Sequence, residues 1–66
     1  MQVIVNGKPM DLPDGLTIDG LLAHLKVRRE YTAVALNREV TRRNAHATTV
    51  LHPDDRVEIV HPMTGG

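Results

Sequence analysis

MQVIVNGKPMDL, residues 1–12, reads as two short strands joined by a tight turn. Met1 to Asn6 is β-branched and alternates, Asn6-Gly7 is the strongest short hairpin signal, and Lys8 to Leu12 is the returning strand. Pro9 has no N–H to give to a ladder, so the returning strand belongs at a sheet edge. Pro13-Asp14-Gly15 then turns the chain out of the hairpin.

Beyond the hairpin the pattern becomes helical. Thr17 is a good N-cap, and Asp19 sits in the first turn, where the helix dipole favours negative charge. Ile18, Leu21, Leu22 and Leu25 form an apolar stripe, which predicts a helix from Ile18 to Val27 lying on the sheet. Gly20 inside that span costs up to about 1 kcal/mol relative to Ala, so packing must offset it. Thr32 to Asn37 is the next strand, with Val34 and Leu36 on one face and Ala33 and Ala35 on the other. Arg38 to Thr49 is polar and poorly periodic, a connection with one short turn or strand near Val40. His52-Pro53-Asp54-Asp55 carries Pro in the second position of an expected type I turn. Arg56 to His61 closes the chain as a strand, Val57 and Ile59 facing one way, Glu58 and Val60 the other. Hairpin, helix, strand, connection and strand give an α+β roll, with one helix on one face of a mixed sheet of four to five strands. Residues 1–62 are the expected domain and residues 63–66 a flexible C-terminal tail.

Composition narrows the chemistry. A chain of 66 residues is at most one domain and buries only about 60% of its unfolded surface. It has no cysteine, which excludes disulfides and thiolate metal sites. The formal net charge is zero, so there is no electrostatic footprint for nucleic acid or an anionic membrane. With no Trp or Phe and one Tyr, the core must be aliphatic and stacking platforms for single-stranded nucleic acid are missing. No apolar run approaches the ~20 residues of a membrane span, and residues 1–6 lack the basic start of a signal peptide. A cytoplasmic protein is expected, a monomer when free.

Few side chains invite catalysis. His24, His46, His52 and His61 lack any zinc-binding spacing and read as scattered surface residues. Asp54-Asp55 reads as a turn former, not a catalytic pair. Arg28-Arg29 and Arg42-Arg43 could form a basic patch, but Glu30 and Glu39 stand beside them. No metal site, intrinsic catalytic residue or nucleophile arrangement is supported.

Gly65-Gly66 remains. Two terminal glycines arise by chance in about one chain in two hundred at ordinary Gly usage. Glycine lets a backbone approach another surface closely. A Gly-Gly arm could therefore thread a narrow channel and present the Gly66 carboxylate to another protein's active site. That carboxylate is ionised at neutral pH and is a poor acyl electrophile. It would need activation by a partner, as an acyl adenylate for example, before a sulfur or nitrogen nucleophile could take the acyl group.

VNG at the first hairpin, AVALN in the middle strand and DRVEIVHPMTGG at the end resemble the ThiS family of thiamine-biosynthesis sulfur carriers, and the resemblance covers essentially the whole chain. It implies the ubiquitin-like β-grasp fold, with first and last strands adjacent and parallel. It also implies that the chain is a protein co-substrate rather than an enzyme. A ubiquitin-activating-type adenylating enzyme would consume ATP and Mg²⁺ to adenylate Gly66, and a sulfur donor protein would convert the adenylate to a thiocarboxylate. Thiazole synthase would then take the sulfur into the thiazole ring. Gly66 maps onto the modified residue and Gly65 onto the residue giving the tail clearance.

Two departures from the family pattern fall in connections: Val40-Thr41-Arg42 where Val-Pro-Arg is common, and Asp54-Asp55-Arg56 where Gly-Asp-Arg is common. Strand periodicity on this fold puts Ile4 and Val60 on the open face, close together, and with Pro62 and Met63 they would form an apolar docking patch at the root of the tail. Arg56 and Arg42 could add charge complementarity. The alternatives are a protein modifier conjugated through Gly66, or a sulfur carrier for molybdopterin or cysteine synthesis.

Overall fold

Asn6 and Gly7 have φ of 50° and 81°, the pair of positive values that defines a type I′ hairpin turn. They join β1 (Gln2–Val5) to β2 (Lys8–Asp11), and Pro9 lies opposite Ile4. In the computed structural model, which describes residues 1–60, β3 (Ala33–Leu36), β4 (Glu39–Thr41) and β5 (Arg56–Val60) complete a five-stranded sheet of order β2-β1-β5-β3-β4. The Pro9 strand is at an edge, as its missing N–H requires. β1 and β5 run parallel side by side at the centre, and every other pair is antiparallel. This is the β-grasp arrangement, with α1 (Ile18–His24) as its helix. β4 supplies the strand expected near Val40, and the last strand is described to Val60, with His61 outside the described residues.

The helix begins as its sequence indicates. Thr17 is the N-cap, its Oγ1 accepting from the Gly20 N–H at 3.0 Å. The Ile18 and Asp19 N–H groups donate to the carbonyls of Thr49 and His46, each at 3.0 Å. The Leu21 N–H makes the first intrahelical bond, to the Thr17 carbonyl at 2.9 Å, so the open donors of the first turn at Ile18, Asp19 and Gly20 are all satisfied. A Cβ on Gly20 would fall 2.5 Å from the Leu16 Cδ1. The glycine thus makes room for Leu16, a half-buried side chain packed on the core.

The end comes three residues before the expected Val27. Lys26 turns left-handed at φ 60°, its N–H donates to the Ala23 carbonyl, and the Val27 N–H donates to the Leu22 carbonyl at 3.0 Å. Those two bonds make a Schellman stop, which usually carries glycine at the Lys26 position. Val27 folds back onto the core instead of continuing the helix.

Ile18, Leu21 and Leu22 pack on Val3, Val5, Val34, Val57 and Ile59, the inward residues of their strands. The connection after β4 contributes more than its polar sequence suggests. Leu51 and His46 are both 1% exposed, and a bridge between Thr17 and Val50 ties that connection to the helix start. His46 is therefore a core residue, not the surface residue expected. Its Nε2 lies 3.2 Å from the Thr41 carbonyl. The turn at Pro53 also differs from expectation. The Asp55 N–H donates to the His52 carbonyl at 3.1 Å, but Asp54 has φ 69°, which makes the turn type II. Asp tolerates the left-handed conformation better than most residues.

Candidate functional site

β5 (Arg56–Val60) carries the chain toward its C-terminus, so what fixes β5 also fixes the point from which residues 61–66 continue. Its register with β1 pairs Ile4 with Arg56 and Val5 with Val57, after which β1 ends at the hairpin. β5 continues for three residues beyond that point. On its other side β3 accompanies it throughout, with Ala33 opposite Val60. On the β1 side, the Asn6 N–H donates to the Val57 carbonyl at 2.9 Å. The Asn6 side-chain Oδ1 then accepts from the Ile59 N–H at 2.8 Å. The turn residue thereby extends the ladder by one bond beyond the end of its own strand.

Val57 and Ile59 point to the helix and are buried, while Arg56, Glu58 and Val60 face the open side. Val60 is 59% exposed and Ile4 is half-buried on the same face. Contrary to expectation, the two are not neighbours. Ile4 lies opposite Arg56, and Val60 is four residues further along, about 13 Å at ~3.3 Å per residue. The parallel register sets this separation, because it places Val60 beyond the last residue of β1. The apolar neighbours of Val60 come from the other side of the sheet. Ala33 pairs with it, and Val40, 80% exposed, pairs with Ala35 on that face. Tyr31, Ala33, Val40 and Arg42 line a groove of about 330 Å³ beside them.

Arg56 and Arg42, the two arginines singled out from sequence, are not brought together. Arg42 belongs to that edge groove, whereas Arg56 lines a separate cleft with Ile4 and Arg38. Asp54-Asp55 is structural. The Asp55 carboxylate accepts from the His52 N–H at 2.8 Å and from the Asn37 Nδ2 at 3.1 Å, and the Arg56 N–H donates to the Asn37 Oδ1 at 2.9 Å. No group of three or more potential metal ligands occurs among the described residues, and no helix among them is long and apolar enough to cross a membrane. Pro62, Met63, Gly65 and Gly66 lie outside the described residues. Asn6 and Arg38 are the residues that sequence reasoning misses. Both sit in turns, and only the folded sheet shows that Asn6 reaches the Ile59 N–H and that Arg38 lines the cleft beside Ile4 and Arg56.

Comparison with known proteins agrees with this architecture. The chain is similar over its full length to a crystal structure of a thiamine biosynthesis protein (ThiS) from Geobacter metallireducens, at 40% identity and a TM-score of 0.87, with both chains wholly covered. A solution structure of a thiamine biosynthesis protein from the same organism gives 42% identity and a TM-score of 0.85, covering all of this chain and 88% of that one. Among curated proteins it is 38% identical over 66 residues to a thiazole synthase of Magnetococcus marinus, and 29% identical to one of Paramagnetospirillum magneticum. It spans about a fifth of the length of each of those two relatives. The model of the ThiS family matches residues 3–66, from the first strand through the terminal glycines. With nearly every residue inside that match and a β-grasp sheet beneath it, the chain belongs to the ThiS family.

Proposed function

We propose that this chain is a sulfur carrier of thiamine biosynthesis, a protein co-substrate whose reactive group is the Gly66 carboxylate. The observation that carries this reading is the family match, which runs unbroken through Gly65-Gly66 on a fold whose last strand is fixed up to Val60. A carboxylate is a poor electrophile until its oxygen becomes part of a good leaving group. An adenylating partner supplies one. A Gly66 oxygen attacks the α-phosphorus of ATP, pyrophosphate departs, and the acyl adenylate forms.

A sulfide-level nucleophile from the sulfur donor then attacks the carbonyl carbon. The carbon–oxygen bond to AMP breaks, AMP leaves with the electron pair, and a thiocarboxylate remains. Thiazole synthase receives that sulfur, and the names of the two curated relatives support this recipient. Gly65 and Gly66 give the arm clearance in both partner sites, and the open-face residues Ile4 and Val60, with Pro62 and Met63, belong to the docking surface.

The direct test is ATP–pyrophosphate exchange with the adenylating enzyme of the same organism. Exchange should depend on the carrier and disappear when Gly66 is deleted. Exchange that persists with the deleted carrier would overturn the assignment of Gly66.

A further inference from the structure

The two hairpins of the sheet use the same turn with different residues. Asn6-Gly7 and Asn37-Arg38 each place both central residues at positive φ, and Arg38 has φ 72° where the first hairpin has Gly7 at 81°. A left-handed arginine costs free energy that glycine would not. Among the described residues the Arg38 side chain makes no hydrogen bond or ion pair that would offset that cost.

The side chain does have a place. Arg38 lines a cleft of about 180 Å³ with Ile4, Gly7, Arg56, Val57 and Glu58. Arg56 projects from the same open face as Ile4, its partner across the strands, and its guanidinium is likewise unpaired among the described residues. A chain with no net charge therefore gathers two exposed guanidinium groups against one carboxylate, Glu58. The cleft lies on the face that carries Val60, and Arg56 within it stands about 13 Å back along the strand from Val60 at ~3.3 Å per residue.

We infer that Arg38 and Arg56 form a carboxylate-reading contact for thiazole synthase. They would engage acidic side chains on its surface at the end of the open face far from the tail. This rests on the carrier reading above. The occupant is argued from charge complementarity, since guanidinium forks match carboxylates in pairs, and from the two curated relatives named thiazole synthase that contain a segment like this chain. A synthase that takes the arm at one end of β5 and grips the arginines at the other fixes the carrier's orientation along the whole strand.

The test uses the full-length carrier and the thiazole synthase of the same organism, with the dissociation constant measured by calorimetry at low and high salt. Arg38→Gly relieves the turn, so thermal stability should rise while affinity falls. Arg38→Gly and Arg56→Ala should each weaken binding about fivefold to tenfold at low salt, and the differences should shrink as salt screens the contact. Wild-type affinity in both variants would overturn the inference and leave the carrier reading intact. Failure of the wild-type carrier to bind the synthase would remove the inference and the proposed recipient together, whereas the pyrophosphate exchange reports on the carrier assignment separately.

Discussion

The Asn6 Oδ1 accepts a hydrogen bond from the Ile59 N–H at 2.8 Å across a separation of 53 residues. The first turn of the chain thereby secures β5, the strand that leads to residues 61–66. Asn6 does two jobs at once: it adopts the positive φ that the turn needs, and it supplies an acceptor where β1 has run out.

Those jobs separate by mutation. Asn6→Gly keeps the turn and loses the acceptor, leaving a half-buried N–H without its partner. It should destabilise the protein by about 1–2 kcal/mol and speed amide exchange at Ile59 more than at Val5. Asn6→Ala also strains the turn and should cost more. Denaturant unfolding of both variants with residue-resolved exchange checks this, and unchanged exchange at Ile59 would contradict it.

Lys26 occupies the left-handed position of the helix stop, where glycine is the ordinary choice. Lys26→Gly should raise stability by about 1 kcal/mol, read as a shift in the denaturation midpoint with unchanged slope. Gly7→Ala, at φ 81°, should lower it by a similar amount. The same sign in both variants would refute the backbone explanation.

Leu51 comes from a connection but is 1% exposed beneath the helix. Leu51→Ala should cost about 2–5 kcal/mol, comparable with truncating Leu21 in the helix stripe. A loss below about 0.5 kcal/mol on thermal or chemical unfolding would mean that the connection is not part of the core.

Much of the fold is legible in the sequence because its signals are local and periodic. Asn6-Gly7, the Thr17 cap, the Ile18-Leu21-Leu22 stripe and the alternation of Val57 and Ile59 with Glu58 and Val60 each report their structure within a few residues. The hidden features break a local rule or depend on distant pairing. Lys26 and Asp54 take conformations that glycine would have advertised, which conceals the helix end and the type II turn. His46 and Leu51 sit in a polar stretch and become core only when the helix start recruits the Thr49 and His46 carbonyls. The distance between Ile4 and Val60 depends on a parallel register that no single segment encodes. The open face is legible as a face, but not the cleft that Arg38 lines beside its strained turn.

Val60 separates folding from docking. Its side chain is largely exposed, so Val60→Glu should change stability by no more than about 0.5 kcal/mol. The charge should nonetheless lower the rate at which partners modify or use the tail, visible as a raised KM for the carrier in pyrophosphate exchange. An unaltered KM would exclude Val60 from the docking surface.

Sulfur transfer to thiazole is the outcome that would separate the proposed carrier role from its alternatives. Expression of the chain should rescue a thiamine auxotroph lacking its own carrier and should not rescue a molybdenum-cofactor mutant. The reverse pattern would reassign the recipient, and isopeptide-linked Gly-Gly remnants on cellular lysines would indicate a protein modifier.

The most direct test of the central claim is the intact mass of the carrier after incubation with its adenylating enzyme, ATP, Mg²⁺ and the sulfur donor. Exchange of one oxygen for sulfur, located to Gly66 by fragmentation and absent without ATP, is the result expected. A carrier that keeps its unmodified mass while a control carrier is converted in parallel would contradict the sulfur-carrier function.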